Sequence, residues 1–457
     1  MNKKKIPVWL HQSLKRGNTM IRHLACFATL LAAPVFAIAG TLHDDVAKDY
    51  DEYLWPLFVH FHRNPELSTI EHETAARMAQ ELRSAGFEVT EGVGGTGVVA
   101  LMKNGEGPLV MMRADMDGLP VQEKSGLENS SQKQQLDPIT GNTVYTMHAC
   151  GHDVHITSLV GTARQMAARK AEWSGTLMLL VQPAEERVLG ARAMREDRIW
   201  ERFGKPDYAL AFHVSSMDVA GKINVTEGSP FAGADTVDII IHGVGAHGAA
   251  PHAGNDPIVL GSQIVLALQT LVARELPPRW PGVVTVGSFH SGTKHNIISD
   301  RAHLQLTVRN TSTETRDLLL NGIKRIAENM GRVAGLPEGK LPEVIISEEG
   351  VPPTINDADL TRRLKQAWTS SLGEETVVFN PTKGMGAEDF PFFTSDPEIA
   401  SVYWQIGGTP QEDFDREAAG GPPVPSHHSP LFKIAPEPSV RAGVESTVVA
   451  LLELMSD

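Results

Sequence analysis

The segment Met147-His148-Ala149-Cys150-Gly151-His152-Asp153-Val154-His155 sets one thiol among histidines and an aspartate. A free cysteine can pack as a small hydrophobe. As a thiolate it can attack an electrophile or bind a metal ion. The other cysteine of the chain, Cys26, lies in a leader-like stretch. A processed chain therefore offers Cys150 no intramolecular disulfide partner. Imidazoles on the same short polar segment favour the metal ligand over the nucleophile, and the rest of the chain must decide.

Further polar clusters fall where apolar runs end. Arg113-Ala114-Asp115-Met116-Asp117-Gly118 follows Leu109–Met112, Gln182-Pro183-Ala184-Glu185-Glu186 follows Leu177–Val181, and His213 follows Tyr208–Phe212. Taken singly, each has a plain explanation: Asp115 and Asp117 as loop caps, the Glu pair as solvated surface, His213 as a satisfied core histidine. Their coincidence at strand ends weakens that explanation, because sites in open α/β sheets gather at the carboxyl ends of strands. Adjacent carboxylates at a strand end point in different directions. One of Glu185 and Glu186 can hold a metal while the other takes a proton from water. Metal-bound water is far more acidic than bulk water, and a positioned base contributes about 10²–10⁴ in rate. Thiolate, imidazole and carboxylate together suit Zn²⁺ or a related divalent ion.

The elements that must carry these residues alternate between helix and strand. Helical patterns run from about Asp44 to His60 and from Glu71 to Ala85, with Gly86 as a C-terminal stop. Val98–Met102, Leu109–Met112, Leu177–Val181 and Tyr208–Phe212 read as strands, most of them buried on both faces. After Cys150, Ile156, Leu159, Val160, Ala163, Met166 and Ala167 recur at helical spacing. This predicts an α/β fold: a catalytic domain whose mixed sheet is flanked by helices. Between Thr236 and Ser347 the order becomes strand, helix, two strands, helix, strand, with helices at Pro257–Arg274 and Thr313–Val333. That is the ferredoxin-like β-α-β-β-α-β motif. It predicts a compact inserted domain over 233–348, between catalytic segments 40–232 and 349–457. The closing segment has a helix from Asp357, strands near Val377 and Val402, and a last helix over Val440–Leu454. The Gln-, Ser- and Asn-rich stretch between Lys124 and Val144 is expected to be a loop near the site.

A net charge of -14 argues against a nucleic-acid partner. With 41% apolar and 21% charged residues, the 457-residue chain has the balance of an ordinary globular protein of two or three units. Its start differs: Lys3, Lys4, Lys5, Lys15, Arg16 and Arg22 precede an apolar run from Leu24 that ends Ala37-Ile38-Ala39. This predicts a secretory signal over 1–39, export to the periplasm and no stable membrane anchor in the mature protein. Met20 is an alternative start.

The motifs together resemble the dinuclear-metal amidohydrolases and peptidases, in the branch of hippurate hydrolases, N-acyl-amino-acid amidohydrolases and plant auxin-conjugate hydrolases. The resemblance runs from His62-Arg63-Asn64-Pro65-Glu66-Leu67 through the clusters above to Gly245-Ala246-His247-Gly248-Ala249-Ala250-Pro251-His252 and Gly386-Ala387-Glu388-Asp389-Phe390. It implies two divalent metal ions, Zn²⁺ or Mn²⁺ with Co²⁺ or Ni²⁺ as further candidates. Cys150 would bridge them, His152 and His213 completing one site and Glu186 and His428 the other. Glu185 would be the general base, and Asp115 would orient a ligand from behind. His247 would polarise the scissile carbonyl, often across a dimer interface, and Asn296 and Arg309 would hold the substrate carboxylate. His427 adjoins His428, but His428 precedes Ser429-Pro430 as the ligand does in the resembling proteins. Ser299 stands where that family usually has proline. The implied substrate is a small N-acyl or N-aroyl amino acid, or alternatively an unblocked short peptide, and the implied assembly is a homodimer or higher. The use of the inserted domain as a lid or dimerisation domain is likewise implied by the resemblance and not by its order of elements.

Overall fold

The computed structural model describes residues 42–380 and 384–456. The expected leader and Cys26 lie outside the described residues. An eight-stranded mixed sheet forms the larger unit. In spatial order its strands are Glu88–Val93, Gly97–Asn104, Gly175–Gln182, Leu109–Asp115, Tyr208–Val219, Ala400–Thr409, Ile223–Asn224 and Val377–Val378. The four central strands, Gly175–Gln182 to Ala400–Thr409, run parallel to one another.

The period-two alternation of a strand explains why these runs are apolar throughout. Val110, Met112 and Ala114 join a core under one face, and Met111 joins another under the opposite face. Leu177, Leu179 and Val181 divide from Met178 and Leu180 in the same way. The first face is covered by helices that include His152–Ala168 and Pro436–Met455, which pack closely. A Cβ on Gly161 would meet Val444 at 2.5 Å, and one on Gly443 would meet Ser158 at 2.5 Å. Small residues let these helices approach, and that fixes the helix whose first residue is His152.

A second sheet of four antiparallel strands has the order Gly282–Ser291, Arg301–Asn310, Gly233–His242, Glu343–Ile346. Helices Pro257–Thr270 and Thr313–Val333 pack on it around a separate core that includes Ile239, Leu268, Leu304 and Ile323. Asp256 and Ser312 cap these helices through backbone N–H groups, at 2.8 Å to Ile258 and 3.2 Å to Thr315. The first helix ends at Thr270 and continues as a π turn over Leu271–Glu275.

The stretch between Lys124 and Val144 is more regular than the loop expected near the site. It forms a hairpin, Gln134–Leu136 with Thr143–Tyr145, and none of its residues lines the main cleft. Its polar side chains explain this: Gln135 accepts from the Leu67 N–H at 2.7 Å, and the Ser131 N–H donates to Glu123 at 2.6 Å. The segment begins close to the cluster, where the Lys124 N–H donates to the Pro430 carbonyl at 2.7 Å, two residues from His428.

Candidate metal centre and active site

The ends of the parallel strands carry the polar clusters. Asp115 and Gln182 are register partners on adjacent strands, and His213 pairs in register with Gln405. Cys150 reaches this edge because Gly151 turns the chain with φ 87°, and a Cβ there would lie 2.3 Å from Val214. Only glycine fits both the left-handed backbone and the close approach. Glu185 and Glu186 sit on a short turn flanked by Ala184 at φ 48° and Val188 at φ 57°, and His428 itself has φ 66°. Non-glycine residues in this region are strained, and such strain collects at functional sites.

Two groups of three potential donors share one sulfur. Cys150, His152 and His213 form one, and Cys150, Glu186 and His428 form the other, with ligand atoms within 4.8 Å of one another in each. The Cys150 Sγ lies 3.4 Å from His213 Nε2, and His428 Nε2 lies 3.3 Å from Glu186. His152 Nε2 faces Glu185 and Glu186, each at 3.9 Å. Both His152 Nε2 and Glu186 Oε1 are buried without a hydrogen-bond partner. Buried polar atoms are normally satisfied, so orphaned lone pairs aimed at one point are what a cation site requires. The residues present fit a divalent metal pair.

Carboxylates and imidazoles behind this layer set its orientation. His152 donates Nδ1–H to the Asp117 carbonyl at 2.8 Å. The Asp117 carboxylate receives the N–H groups of Glu185 at 3.2 Å and Glu186 at 3.1 Å and the Ser68 hydroxyl at 2.6 Å. Asp117 thus orients His152 and clamps the Glu pair. Asp115, expected to orient a ligand, instead takes its closest histidine hydrogen bond from His155, at 2.5 Å, and stands 3.8 Å from His152 Nε2. Its carboxyl would be raised by burial, but Arg113, His152 and His155 hold it well below the usual range.

Arg113 is 1% exposed. It bonds Asp115 at 2.5 Å, Glu388 at 2.8 Å, Gln182 at 2.8 Å and Tyr403 at 3.2 Å. Asp389 is held by Gln182 at 2.6 Å. Glu388 and Asp389 were visible in the sequence only as part of a motif. Their role as counter-charges required knowing that Arg113, some 275 residues away, is buried beside them. Glu185, 7% exposed, is pushed well above the usual carboxylate range by burial and by Glu388 and Glu186. Burial, then Glu186 and Glu185, also push the Cys150 thiol up.

The cleft beside these residues has a volume of about 650 Å³ and is lined by Cys150, Glu185, Glu186, His213, His427, His428 and, from the small sheet, Arg309. Arg309 is half-buried and bonds only Thr307, at 3.2 Å, among the described residues. His247 and Asn296 do not line this cleft. They sit together in the small unit, where the Gly248 N–H donates to the Asn296 carbonyl at 2.8 Å and Asn296 Oδ1 is buried without a partner.

Comparison with known proteins agrees with this geometry. The model of "Peptidase family M20/M25/M40" matches residues 111–419. The hippurate hydrolase of Campylobacter jejuni is 36% identical over 344 residues, 75% of this chain and 85% of that protein. Thermostable carboxypeptidase 2 of Saccharolobus solfataricus is 35% identical over 370 residues, 80% of this chain and 88% of that protein. The solved structure of the Bacillus subtilis YXEP protein, described as a dinuclear metal binding peptidase of the M20 family, superposes with a TM-score of 0.71. It is 27% identical and covers 91% of this chain and 99% of that one. The protein is a hydrolase belonging to peptidase family M20/M25/M40.

Proposed function

We propose that the protein is a dinuclear-metal amidohydrolase that cleaves the amide bond of N-acyl or N-aroyl amino acids. The observation that carries this reading is the single sulfur of Cys150 shared by two sets of three donors, with His152 Nε2 and Glu186 Oε1 otherwise unpartnered. Cys150, His152 and His213 would hold one divalent cation, and Cys150, Glu186 and His428 the other. Zn²⁺ or Mn²⁺, with Co²⁺ or Ni²⁺ as further candidates, supplies Lewis acidity that acidifies water and polarises a carbonyl. Glu185 takes a proton from the attacking water on its carboxylate and returns it to the leaving amine nitrogen. Arg309 holds the substrate carboxylate through its planar fork.

Beside the cleft a second pocket of about 400 Å³ is lined by Met217, Val219, Phe231 and Phe414, with Asp218 among its polar groups. A carboxylate is repelled by Asp218 and attracted by Arg309, which supports placing the amino-acid end at Arg309 and the acyl group in this pocket.

The reading includes a homodimer. Helix Pro257–Thr270 exposes Ile258, Val259 and Leu266, and its sheet ends on the edge strand Gly282–Ser291. An apolar helix beside an open sheet edge suits a second copy of this chain. His247 and Asn296, outside their own cleft, would then reach the cleft of that copy, where His247 polarises the scissile carbonyl. Export to the periplasm remains part of the reading on the strength of residues 1–39.

A panel of N-acetyl- and N-benzoyl-amino acids beside free dipeptides, assayed after chelation and again after metal restoration, tests the function. Metal-dependent cleavage of the blocked substrates supports it. Cleavage of the free dipeptides alone moves the protein to the peptidase alternative, which the carboxypeptidase relative favours.

A further inference from the structure

Four imidazoles surround the strand end near Val214, and the backbone divides them into two kinds. His213 donates Nδ1–H to the Val214 carbonyl at 2.6 Å, and His152 donates Nδ1–H to the Asp117 carbonyl at 2.8 Å. In both, the Nε2 lone pair is left to face the donor cluster. His155 and His427 are wired the other way. The Val214 N–H donates to His155 Nε2 at 2.8 Å, and the Ser216 N–H donates to His427 Nε2 at 3.1 Å. An amide N–H cannot accept, so each ring carries its proton on Nδ1. His155 directs that proton to Asp115. His427 directs its own toward Cys150, whose Sγ lies 3.7 Å from Nδ1. The His427 ring is seated 4.8 Å from Phe432 and 5.3 Å from His213, so its orientation is fixed by packing as well as by the amide.

We propose that His427 is a positioning residue whose Nδ1–H donates a hydrogen bond to the Cys150 sulfur, orienting it between the two donor groups, and that His427 is not itself a ligand. The inference rests on the reading of Cys150 as a bridging thiolate. It separates two adjacent histidines by role: His428 offers a lone pair, and His427 offers a proton. Hydrogen bonds behind a metal ligand commonly fix its geometry and electron density. One to a thiolate lowers the filled sulfur orbitals and so raises the energy of sulfur-to-metal charge transfer.

The test uses the full chain loaded with Co²⁺ and compares the native protein with His427→Phe and His427→Gln. The native protein should take up two equivalents and show a thiolate-to-cobalt absorption band. His427→Phe keeps an aromatic ring against Phe432 but has no N–H. It should retain both equivalents while the band moves to longer wavelength. His427→Gln restores an N–H donor and should bring the band back toward the native position. If the Phe variant does not fold, His427→Met takes its place. An unmoved band in the donor-free variant, or an equal shift in the Gln variant, overturns the hydrogen bond. Loss of one cobalt equivalent in the donor-free variant makes His427 a ligand and overturns the assignment. A native protein without any thiolate band defeats the bridging reading, and this inference falls with it.

Discussion

Arg113 and Arg309 come from two sheets, one behind the cleft and one on its lining, and differ in burial and in the partners they hold. Arg113, at the strand ends of the large sheet, is buried among Asp115, Glu388, Asp389, Gln182 and Tyr403. Burial would lower its pKa, but Asp115 and Glu388 lead the neighbours that hold it higher still. Arg309, on the small sheet, is half-buried, has Thr307 as its hydrogen-bond partner, and is lowered by burial. A saturated guanidinium can only hold a scaffold together. One with donors to spare can bind something that arrives. The same contrast separates His155, buried with Asp115 and the Val214 amide on its two ring nitrogens, from His247, exposed and outside its own cleft.

The largest effect is expected where the two regions meet. Glu185→Gln should lower kcat by about 10²–10⁴, the usual contribution of a general base, while cation content by elemental analysis stays at the native level. A variant that keeps most of its turnover would remove Glu185 from the proton transfer.

Arg113→Leu should destabilise the fold by about 3–5 kcal/mol, because Glu388 and Asp115 lose their buried counter-charge. Denaturant unfolding reads this. Native stability would mean that the strand-end network is not the scaffold its geometry indicates.

Arg309→Ala should instead leave the melting temperature in place and raise KM by about ten- to a hundredfold, the loss of one charge-assisted hydrogen bond of about 1.5–3 kcal/mol. A change in kcat alone would place Arg309 away from the substrate carboxylate.

The last effect concerns pH. Burial alone would lower His62, but its hydrogen bonds to Asp153 at 2.7 Å and Glu123 at 3.3 Å hold it at about 10, above the ordinary 6.5. A pKa raised by folding contributes stability that is complete below the unfolded value and lost as pH rises through the folded one. The melting temperature should therefore decline between about pH 6.5 and 10, and His62→Gln should flatten that decline. Parallel declines in both proteins would assign the effect to other groups.

What the sequence disclosed follows the same division. Strands such as Leu177–Val181 and the helix over Thr313–Val333 were legible because an apolar run or a 3.6-residue period is a local signal. Cys150, His152 and Glu186 stand out in the sequence because each sits in a short polar motif, and His213 because it ends an apolar run; grouping them with His428 as one donor set rests on the family resemblance. The parts that escaped depend on contacts between distant segments. Asp117 resembles any loop aspartate until its carboxylate is seen to hold the Glu185 and Glu186 amides. Glu388 needed Arg113, and His427 needed the Ser216 amide. The hairpin at Gln134–Tyr145 reads in the sequence as a loop near the site, because polar composition does not show which residues pair as strands.

The Asp117 clamp makes one short loop answerable for two parts of the site. Its carbonyl holds the His152 ring, and its carboxylate holds the amides of the Glu185–Glu186 turn. An imidazole and a carboxylate pair from distant segments therefore share one mechanical anchor, and a shift of that loop moves both together.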